Sequence, residues 1–265
     1  MLDWGDEFRD RKVVLTGACG VIGTWIAAAF AQAGARLCLS DRRADTLAAL
    51  AETHGVLAKG GLAHVTELTD SASIDDLVAT VEKAWGAPDI VINNAGVYPS
   101  GFLIDIDAAE WDRIFDINLR APFLLARGFA KLMIAANVKG NIVNISSGAA
   151  RRMRRSVVPY CTSKTALDRL TKGFAIELAA FGIRVNAVEP GFAPGSSESP
   201  LTAAHVEATT AGIPMGRASA PEDAPNAIMF LCSSKAGYVT GATLSVDGGN
   251  SIGSLIVYQD KKEPG

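Results

Sequence analysis

The sequence has few histidines and cysteines, and neither residue type is arranged as the ligands of a metal ion. The chain of 265 residues contains three histidines, which stand on separate segments without metal-ligand spacing. Its four cysteines are dispersed and form no closely spaced pair. The sequence therefore predicts no metal site, and it predicts reduced thiols in a cytoplasmic protein. The residues concerned are His54, His64, His205, Cys19, Cys38, Cys161 and Cys232.

Long apolar runs and an excess of positive charge are also missing. No apolar run reaches the roughly 18 residues that a membrane-spanning helix needs. The opening segment 1–7 is acidic and lacks the basic and apolar regions of a secretory signal. Nucleic-acid-binding domains usually carry a basic excess, whereas the formal net charge here is -3. We therefore expect neither a membrane nor a nucleic acid among the partners.

Strand and helix patterns alternate along the chain. With 49% hydrophobic and 20% charged residues, the chain can bury one sizeable core, so we expect a single domain over residues 1–265. The alternation indicates a parallel sheet covered by helices on both faces. The predicted fold is therefore α/β, a Rossmann-type doubly wound parallel sheet of about seven strands. Strands are predicted near 12–16, 36–40, 62–67, 89–93, 140–146, 183–189 and 243–246, and helices near 22–33, 43–53, 72–85, 110–135, 160–181 and 222–233.

A glycine-rich turn, residues 16–23, joins the first predicted strand to an apolar helix. Glycines let the backbone approach a pyrophosphate closely, and the first turn of the helix offers free N–H groups to the phosphate charge. The second strand ends at Asp41, about where the acid that holds an adenosine ribose is expected. These features predict a dinucleotide site, and the alternative is a tight turn without a ligand.

Two later strands end on polar residues. Asn93-Asn94-Ala95-Gly96 closes one of them, and Ser146 and Ser147 close the next. The carboxyl ends of parallel strands line the ligand crevice of such a sheet, so we expect these residues to lie along it. The alternative for either serine is a capping role in the segment that follows.

Tyr160 and Lys164 stand four residues apart in a long helical pattern, so both side chains emerge on one face. A free phenol has a pKa of about 10, and a fixed cation nearby favours the phenolate, which then serves as a base closer to neutrality. On spacing alone, the alternative is a lysine stem packed along a tyrosine ring. The strand-end residues favour the catalytic interpretation.

In their order and spacing, these motifs resemble those of the short-chain dehydrogenase/reductase family over about residues 12–249. The glycine turn, the Asn-Asn-Ala-Gly segment, the sequence 184–186 before Pro190-Gly191, and the sequence 246–249 all match family motifs. The resemblance implies reversible hydride transfer between a nicotinamide cofactor and a secondary alcohol or its carbonyl.

The resemblance also implies a role for each residue of a catalytic set. Tyr160 is the expected acid and base, and Ser147 is expected to position the substrate oxygen. Lys164 is expected to lower the pKa of Tyr160 and to hold the nicotinamide ribose. Asn118 is expected to anchor a water through which the proton leaves, and its alternative is a structural amide that distorts its helix. The implied cofactor-binding residues are Gly17, Cys19, Val21, Ile22, Asp41, Arg42, Glu67, Leu68, Asn94, Ala95, Gly96, Tyr160, Lys164, Pro190, Gly191 and Phe192.

Three positions depart from the family pattern. Val21 stands where the cofactor turn commonly has glycine. Glu67 replaces an aspartate beneath the adenine, which keeps a carboxylate one methylene longer. Gly195 replaces the threonine that covers the nicotinamide carboxamide, and Ser196 or Ser197 are the candidates to serve instead.

Cofactor choice depends on Asp41 and the two residues after it. Asp41 can accept hydrogen bonds from both adenosine ribose hydroxyls and would repel a 2′-phosphate. Arg42 and Arg43 act in the opposite direction, because an arginine here can hold that phosphate bidentately. We expect NAD to be preferred over NADP.

Two other functions are compatible with the same scaffold: a non-catalytic dinucleotide sensor, and a dehydratase or epimerase that retains its cofactor. For the oxidoreductase we expect a small-molecule alcohol or carbonyl substrate. The segment 192–220 is the predicted substrate lid, because it is long, irregular and rich in Pro, Gly, Ser, Thr and Ala. The resemblance suggests a homotetramer paired through the helices near 110–135 and 160–181.

An arginine cluster lies in the loop between the two catalytic segments. Guanidinium groups are fork-shaped donors that suit a carboxylate, phosphate or sulfonate, so the cluster raises the hypothesis of an anionic substrate. The alternative is a solvated or subunit-contacting charge run. The cluster consists of Arg151, Arg152, Arg154 and Arg155.

Overall fold

Seven strands form one parallel sheet in the computed structural model, which describes residues 2–196, 200–253 and 255. The strands are β1 (Lys12–Thr16), β2 (Arg36–Asp41), β3 (Leu62–Val65), β4 (Ile90–Asn93), β5 (Asn141–Ile145), β6 (Arg184–Pro190) and β7 (Thr243–Val246). Their order across the sheet is β3-β2-β1-β4-β5-β6-β7, and all neighbours are parallel. This order confirms the predicted doubly wound sheet.

Helices connect the strands and cover both faces of the sheet. They are α1 (Val21–Gln32), α2 (Ala44–Thr53), α3 (Ser71–Trp85), α4 (Ala108–Phe115), α5 (Ala121–Ala135), α6 (Val158–Leu178), α7 (Ala203–Ala211) and α8 (Asp223–Cys232). No helix among the described residues combines the length and apolar character of a membrane span.

The central strands are apolar at successive positions because both of their faces are buried. In β1, Val13 and Leu15 join the cluster that contains Phe30 of α1, whereas Val14 joins the opposite cluster around Phe129 of α5. Side chains alternate between the two faces of a strand, so a continuous apolar run is what a sheet with two covered faces requires.

The strand order reverses between β1 and β4, which places a crevice at their carboxyl ends. Gly17 follows β1, Asp41 ends β2, Asn94 follows β4, and Ser147 lies two residues beyond β5. These four residues lie on neighbouring strand ends, and the shared edge predicted from the sequence is therefore confirmed.

The structure differs from the predicted elements in two places. The strand predicted over 62–67 ends at Val65, where the chain turns towards α3. The helix predicted over 110–135 is divided by a π-helical segment, Asp116–Arg120, between α4 and α5. Pro122 has no N–H group to donate to the carbonyl of Asn118, four residues earlier, so regular α-helical pairing cannot continue here.

Candidate active site

The glycine turn after β1 depends on two close backbone approaches. Gly17 has φ of +62°, and a Cβ atom on it would lie 2.6 Å from the Cα of Ala95. A Cβ atom on Gly23 would lie 2.2 Å from the carbonyl oxygen of Gly17. Only glycine fits either position, because a side chain would collide with backbone that cannot swing away. Val21 begins α1 directly after this turn, so the first N–H groups of the helix lie beside it.

Asn94 ties the turn to the end of β4. Its Nδ2 donates to the carbonyl oxygens of Thr16 and Gly17 at 3.0 and 2.9 Å, and its backbone N–H donates to Thr16 Oγ1. The side chain therefore fixes the shape of the turn. A role towards a nucleotide would fall mainly on the adjoining backbone of Ala95 and Gly96.

Asp41 is buried at the end of β2 and accepts several hydrogen bonds. Its carboxylate receives the backbone N–H of Cys19 at 3.0 Å and that of Arg43 at 3.1 Å, and the Arg43 guanidinium pairs with both of its oxygens. Burial alone would raise the pKa of Asp41, but the hydrogen bonds from Arg43 and Cys19 outweigh it and hold the pKa below its ordinary value. Asp41 is therefore ionised at neutral pH. Arg42 is exposed beside it.

The segment after β3 is arranged around the start of α3. Glu67 is exposed, and its Oε1 accepts hydrogen bonds from the N–H and the hydroxyl of Thr69. Leu68 is partly buried against the apolar cluster of the α3 and α5 face. In the structure the Glu67 carboxylate thus caps its own turn.

The side chain of Asn118 is fully buried within the π-helical segment. Its Oδ1 accepts the N–H of Val97 at 2.9 Å, and its Nδ2 donates to the carbonyl of Val97 and to Ser163 Oγ. The amide thus joins the chain after β4 to the helix that carries Tyr160. This geometry matches the structural alternative for the side chain, and it leaves the backbone carbonyl as the group through which a water could be held.

Ser147, Tyr160 and Lys164 meet beyond the end of β5. Ser147 Oγ accepts the N–H of Ala149 at 3.1 Å, so the serine also has the capping role considered above. The Nζ of Lys164 is buried, donates to the carbonyl of Ile145 at 2.7 Å and lies 5.9 Å from the centre of the Tyr160 ring. A Cβ atom on Gly96 would lie 3.4 Å from the same Nζ, so the lysine reaches back to the nucleotide side of the crevice.

Burial has the largest effect on the pKa values of both Tyr160 and Lys164. Burial raises the pKa of the half-buried Tyr160 above its ordinary value, and the hydrogen bond with Ser147 and the charge of Arg154 act against that rise. Burial lowers the pKa of Lys164 to about 8, with the charge of Asp168 acting in the opposite direction. In the protein alone, desolvation has the larger effect on the phenol, and the lowering of its pKa by Lys164 stays a prediction.

Sequence reasoning missed Asp168, which stands one helical turn beyond Lys164. Its Oδ1 is buried and has no hydrogen-bond partner among the described residues. Burial raises the pKa of this carboxyl. The signal was available, because Asp168 continues the i, i+4 series of Tyr160 and Lys164 along one face of α6.

Residues after β6 form the far wall of the crevice. The N–H of Gly191 donates to the carbonyl of Val246, and a Cβ atom on Gly191 would lie 2.7 Å from Ser219 Oγ. Phe192 lines a cavity of about 330 Å³ with residues of the segment 213–219 and the end of β7. Pro190 ends β6, Ser196 is partly buried, and Ser197 lies outside the described residues.

Comparisons with known proteins agree with this geometry. A family model described as enoyl-(acyl carrier protein) reductase matches residues 17–251. Galactitol 2-dehydrogenase of Agrobacterium fabrum is 34% identical over 258 residues, which cover 92% of this chain and 98% of that protein. A short-chain type dehydrogenase/reductase of Mycobacterium marinum superposes with a TM-score of 0.82 at 30% identity, covering 93% of this chain and 97% of that one. The 3-ketoacyl-(acyl-carrier-protein) reductase of Brucella melitensis, solved with NADH, gives a TM-score of 0.82 at 31% identity, with 92% and 99% covered.

Proposed function

Because the chain belongs to the short-chain dehydrogenase/reductase family, we propose that Ser147, Tyr160 and Lys164 are its catalytic residues. The family and the alcohol dehydrogenases among its relatives make the chain an oxidoreductase of secondary alcohols or their carbonyls, with a nicotinamide cofactor. The observation that carries the proposal is the buried Lys164 ammonium beside the Tyr160 ring, at the strand edge that also holds the glycine turn.

The residues of the crevice fit a dinucleotide. The backbone at Gly17 lies so close to Ala95 that no Cβ atom fits there, and this close approach shapes the turn that would present the start of α1 to a pyrophosphate. Backbone of Cys19, Val21 and Ile22 would hold the phosphates. The rest of the cofactor would lie against residues at three places in the crevice. Those at the ends of β2 and β3 are Asp41, Arg42, Glu67 and Leu68. Those after β4 are Asn94, Ala95 and Gly96, and those at the end of β6 are Pro190, Gly191 and Phe192. A bound nicotinamide ring supplies the acceptor or donor of the hydride.

In the oxidation direction, Tyr160 as phenolate takes the proton of the substrate hydroxyl. Ser147 donates a hydrogen bond to the same oxygen, which positions the substrate and stabilises its developing charge. Lys164 places a cation beside the phenol, and this cation favours the phenolate once substrate and cofactor cover the site. In the reduction direction the Tyr160 hydroxyl returns its proton to the carbonyl oxygen.

The proton of Tyr160 needs a route to solvent. We assign this route to the backbone of Asn118, because its side chain is already hydrogen-bonded to Val97 and Ser163. Pro122 cannot donate to the Asn118 carbonyl, so that oxygen is the group we assign to a relay water. The π-helical segment would then be what exposes this acceptor.

NAD is the cofactor we propose to be preferred. The ionised Asp41 carboxylate suits two ribose hydroxyls and opposes a 2′-phosphate. Arg43 pairs with this carboxylate and must be displaced or shared when a ribose binds, so Arg43 weakens the preference. NADP is the less favoured cofactor on this proposal.

Three broader features belong to the same proposal. Residues 1–265 act as a single domain, since both apolar clusters pack against the same sheet. The segment 192–220, which contains α7, is the substrate lid. A homotetramer is supported by a groove of about 560 Å³ between the π-helical segment with the start of α5 on one side and α6 on the other, with Phe123 and Leu170 in its wall. A cytoplasmic location is supported by the four free thiols.

A screen tests the catalytic assignment. Secondary alcohols, polyols, sugars and hydroxy acids are offered with NAD or NADP, and formation of the reduced cofactor is followed by absorbance. Tyr160→Phe should lower kcat by about 10²- to 10⁴-fold, the range of a lost acid–base group, and leave the Kd of NADH within a few-fold. Net formation of NADH also separates a dehydrogenase from a dehydratase or epimerase.

Tyr238→Phe is the matched control, because this second tyrosine is fully exposed and its variant should turn over like the wild type. Near-native turnover by Tyr160→Phe at every pH would mean that another group accepts the proton.

A further inference from the structure

Three of the four arginines in the loop before α6 are engaged by named partners. Arg151 Nε donates to the buried Glu189 at 2.7 Å, and Arg152 Nη2 donates to Asn250 Oδ1 at 3.1 Å. The Arg155 guanidinium lies over the ring of Phe102, 5.0 Å from its centre.

Arg154 differs from its neighbours. Its side chain is exposed, and across residues 2–196, 200–253 and 255 it makes no hydrogen bond and no ion pair. Burial dominates the pKa of Tyr160 and raises it, but the charge of Arg154 acts in the opposite direction, so the guanidinium lies within electrostatic reach of the phenol. The carbonyl of Arg154 accepts the N–H of Val157, the residue before α6, so Arg154 lies at the start of the helix that carries Tyr160.

The backbone that carries Arg154 is held at both ends. The hydroxyl of Thr165 donates to the carbonyl of Ala150 at the start of the loop, and Gly101 N–H donates to the carbonyl of Ser156 at its end. Ser156 has φ of +66°, which is uncommon for a residue other than glycine and persists only where the surroundings enforce it. The backbone that carries Arg154 is therefore fixed between the two segments that hold Ser147 and Tyr160.

Local charges agree with a site for an anion. Arg151 is neutralised by Glu189, and the charge of Asp247 acts on Arg152. Asp247 itself receives the backbone N–H groups of Gly249 and Ser251. Arg154 has no such carboxylate among the described residues.

We propose that Arg154 binds an anionic oxygen group carried by the substrate, such as a carboxylate, phosphate or sulfonate. The proposal rests on the proposed function, because the alcohol or carbonyl of the same substrate must reach Tyr160. A planar guanidinium can hold two oxygens of such a group at once. The substrate class is therefore a secondary alcohol, or its ketone, with an anionic group within reach of the loop.

The kinetic test uses substrate pairs that differ in charge: gluconate with sorbitol, and 3-hydroxybutyrate with its methyl ester. For the wild type, kcat/KM of the acid should exceed that of its neutral partner at least tenfold at low ionic strength. Arg154→Gln should remove this advantage through KM, and Arg154→Lys should restore part of it. The KM of NAD should stay unchanged in both variants. Added salt should reduce the advantage of the acid, because a partly exposed charge is screened.

Arg155→Gln is the matched control, because it removes the same charge from the same loop at a residue engaged with Phe102. In this variant, kcat/KM of the acid should still exceed that of its neutral partner. Thermal unfolding of both variants verifies that they fold, as expected for exposed side chains.

A binding test that needs no turnover uses inorganic phosphate with the NADH-loaded protein, at constant ionic strength. NADH occupies the glycine turn, so a phosphate that still binds must use another site. The ³¹P line of phosphate should broaden saturably with the wild type and with Arg155→Gln, and much less with Arg154→Gln.

The outcomes distinguish a failure of the anion site from a failure of the proposed oxidoreductase function. Suppose that neutral alcohols are oxidised, that kcat/KM is no higher for the acids, and that Arg154→Gln broadens the phosphate line as much as the wild type does. The anion site is then overturned, and the oxidoreductase function is kept. An acid advantage that survives Arg154→Gln also overturns the inference. If no alcohol reacts while phosphate binding depends on Arg154, the proposed function fails and the anion site remains.

Discussion

The two sides of the crevice are built in different ways. On the nucleotide side, formed by the turn after β1 and the ends of β2 and β4, polar groups are paired within the chain, as Asn94 is with Thr16 and Gly17. On the proposed substrate side, formed by segments 98–104, 148–157, 192–196 and 200–220, large apolar side chains are exposed. Phe102, Leu103, Ile104 and Met153 are all about half exposed or more.

This difference explains why one side is readable in the sequence and the other is not. The nucleotide side works through backbone shape, which few residue types permit, so its glycines and amides form recognisable motifs. The substrate side is assembled from loops that are distant in sequence, and loops carry specificity without a fixed pattern.

The largest effect is expected where the nucleotide side has no free space. Gly17→Ala puts a Cβ atom 2.6 Å from the Cα of Ala95, at φ of +62°. We expect a loss of stability above the roughly 1–3 kcal/mol of backbone strain alone, because the contact with Ala95 adds to it. The Kd of NADH, measured by fluorescence titration, should rise as the turn shifts.

Gly216→Ala on the substrate side is the matched substitution. Gly216 has φ of +69°, but a Cβ atom there meets nothing within 4 Å. Gly216→Ala should lose stability through backbone strain alone, without a steric clash, and should bind NADH like the wild type. Equal losses of NADH affinity in the two variants would mean that the close approach at Gly17 does not shape the cofactor site.

A smaller effect is expected in cofactor choice. Asp41→Asn keeps an acceptor for the Cys19 N–H and removes the charge that opposes a 2′-phosphate. The ratio of kcat/KM for NADP over NAD should rise about tenfold, as expected for removing one nearby like charge. Arg43→Gln should move the same ratio the other way, since Arg43 pairs with Asp41. A wild type that clearly favours NADP would contradict the assignment of Asp41.

A pH dependence of stability is expected at the boundary between the two sides. Burial lowers the pKa of Lys164 to about 8 from 10.5, so the unfolded chain binds more protons than the folded one between these values. This residue's contribution to the free energy of unfolding therefore rises with pH across that window. Lys164→Met should remove the rise, which denaturant unfolding at pH 8, 9 and 10 would detect.

Other groups also titrate in this range, so the quantity to compare is the difference between wild type and variant at each pH. Lys172→Met, on an exposed lysine of the same helix, is the control. A difference that stays constant from pH 8 to pH 10 would show that Lys164 is not desolvated in solution.

Much of the fold follows from the sequence, because strands and helices obey local periodicities. The seven strands lie within two residues of their predicted bounds. The break within 110–135 was missed because its cause is not periodic: Pro122 removes one donor, and Asn118 turns its side chain to the distant Val97. An apolar helical pattern continues through such a segment without a signal.

Residue types and spacing alone determined the glycine turn, the strand-end polar residues and the Tyr160–Lys164 pair, because each depends on neighbours within one or two turns of chain. Tertiary structure decided the rest. It placed Arg43 on Asp41, left one carboxylate oxygen of Asp168 buried without a hydrogen-bond partner among the described residues, and gave partners to three arginines of the loop but not to Arg154. These outcomes depend on which distant segments meet, and burial then sets how strongly each charge acts on its neighbours.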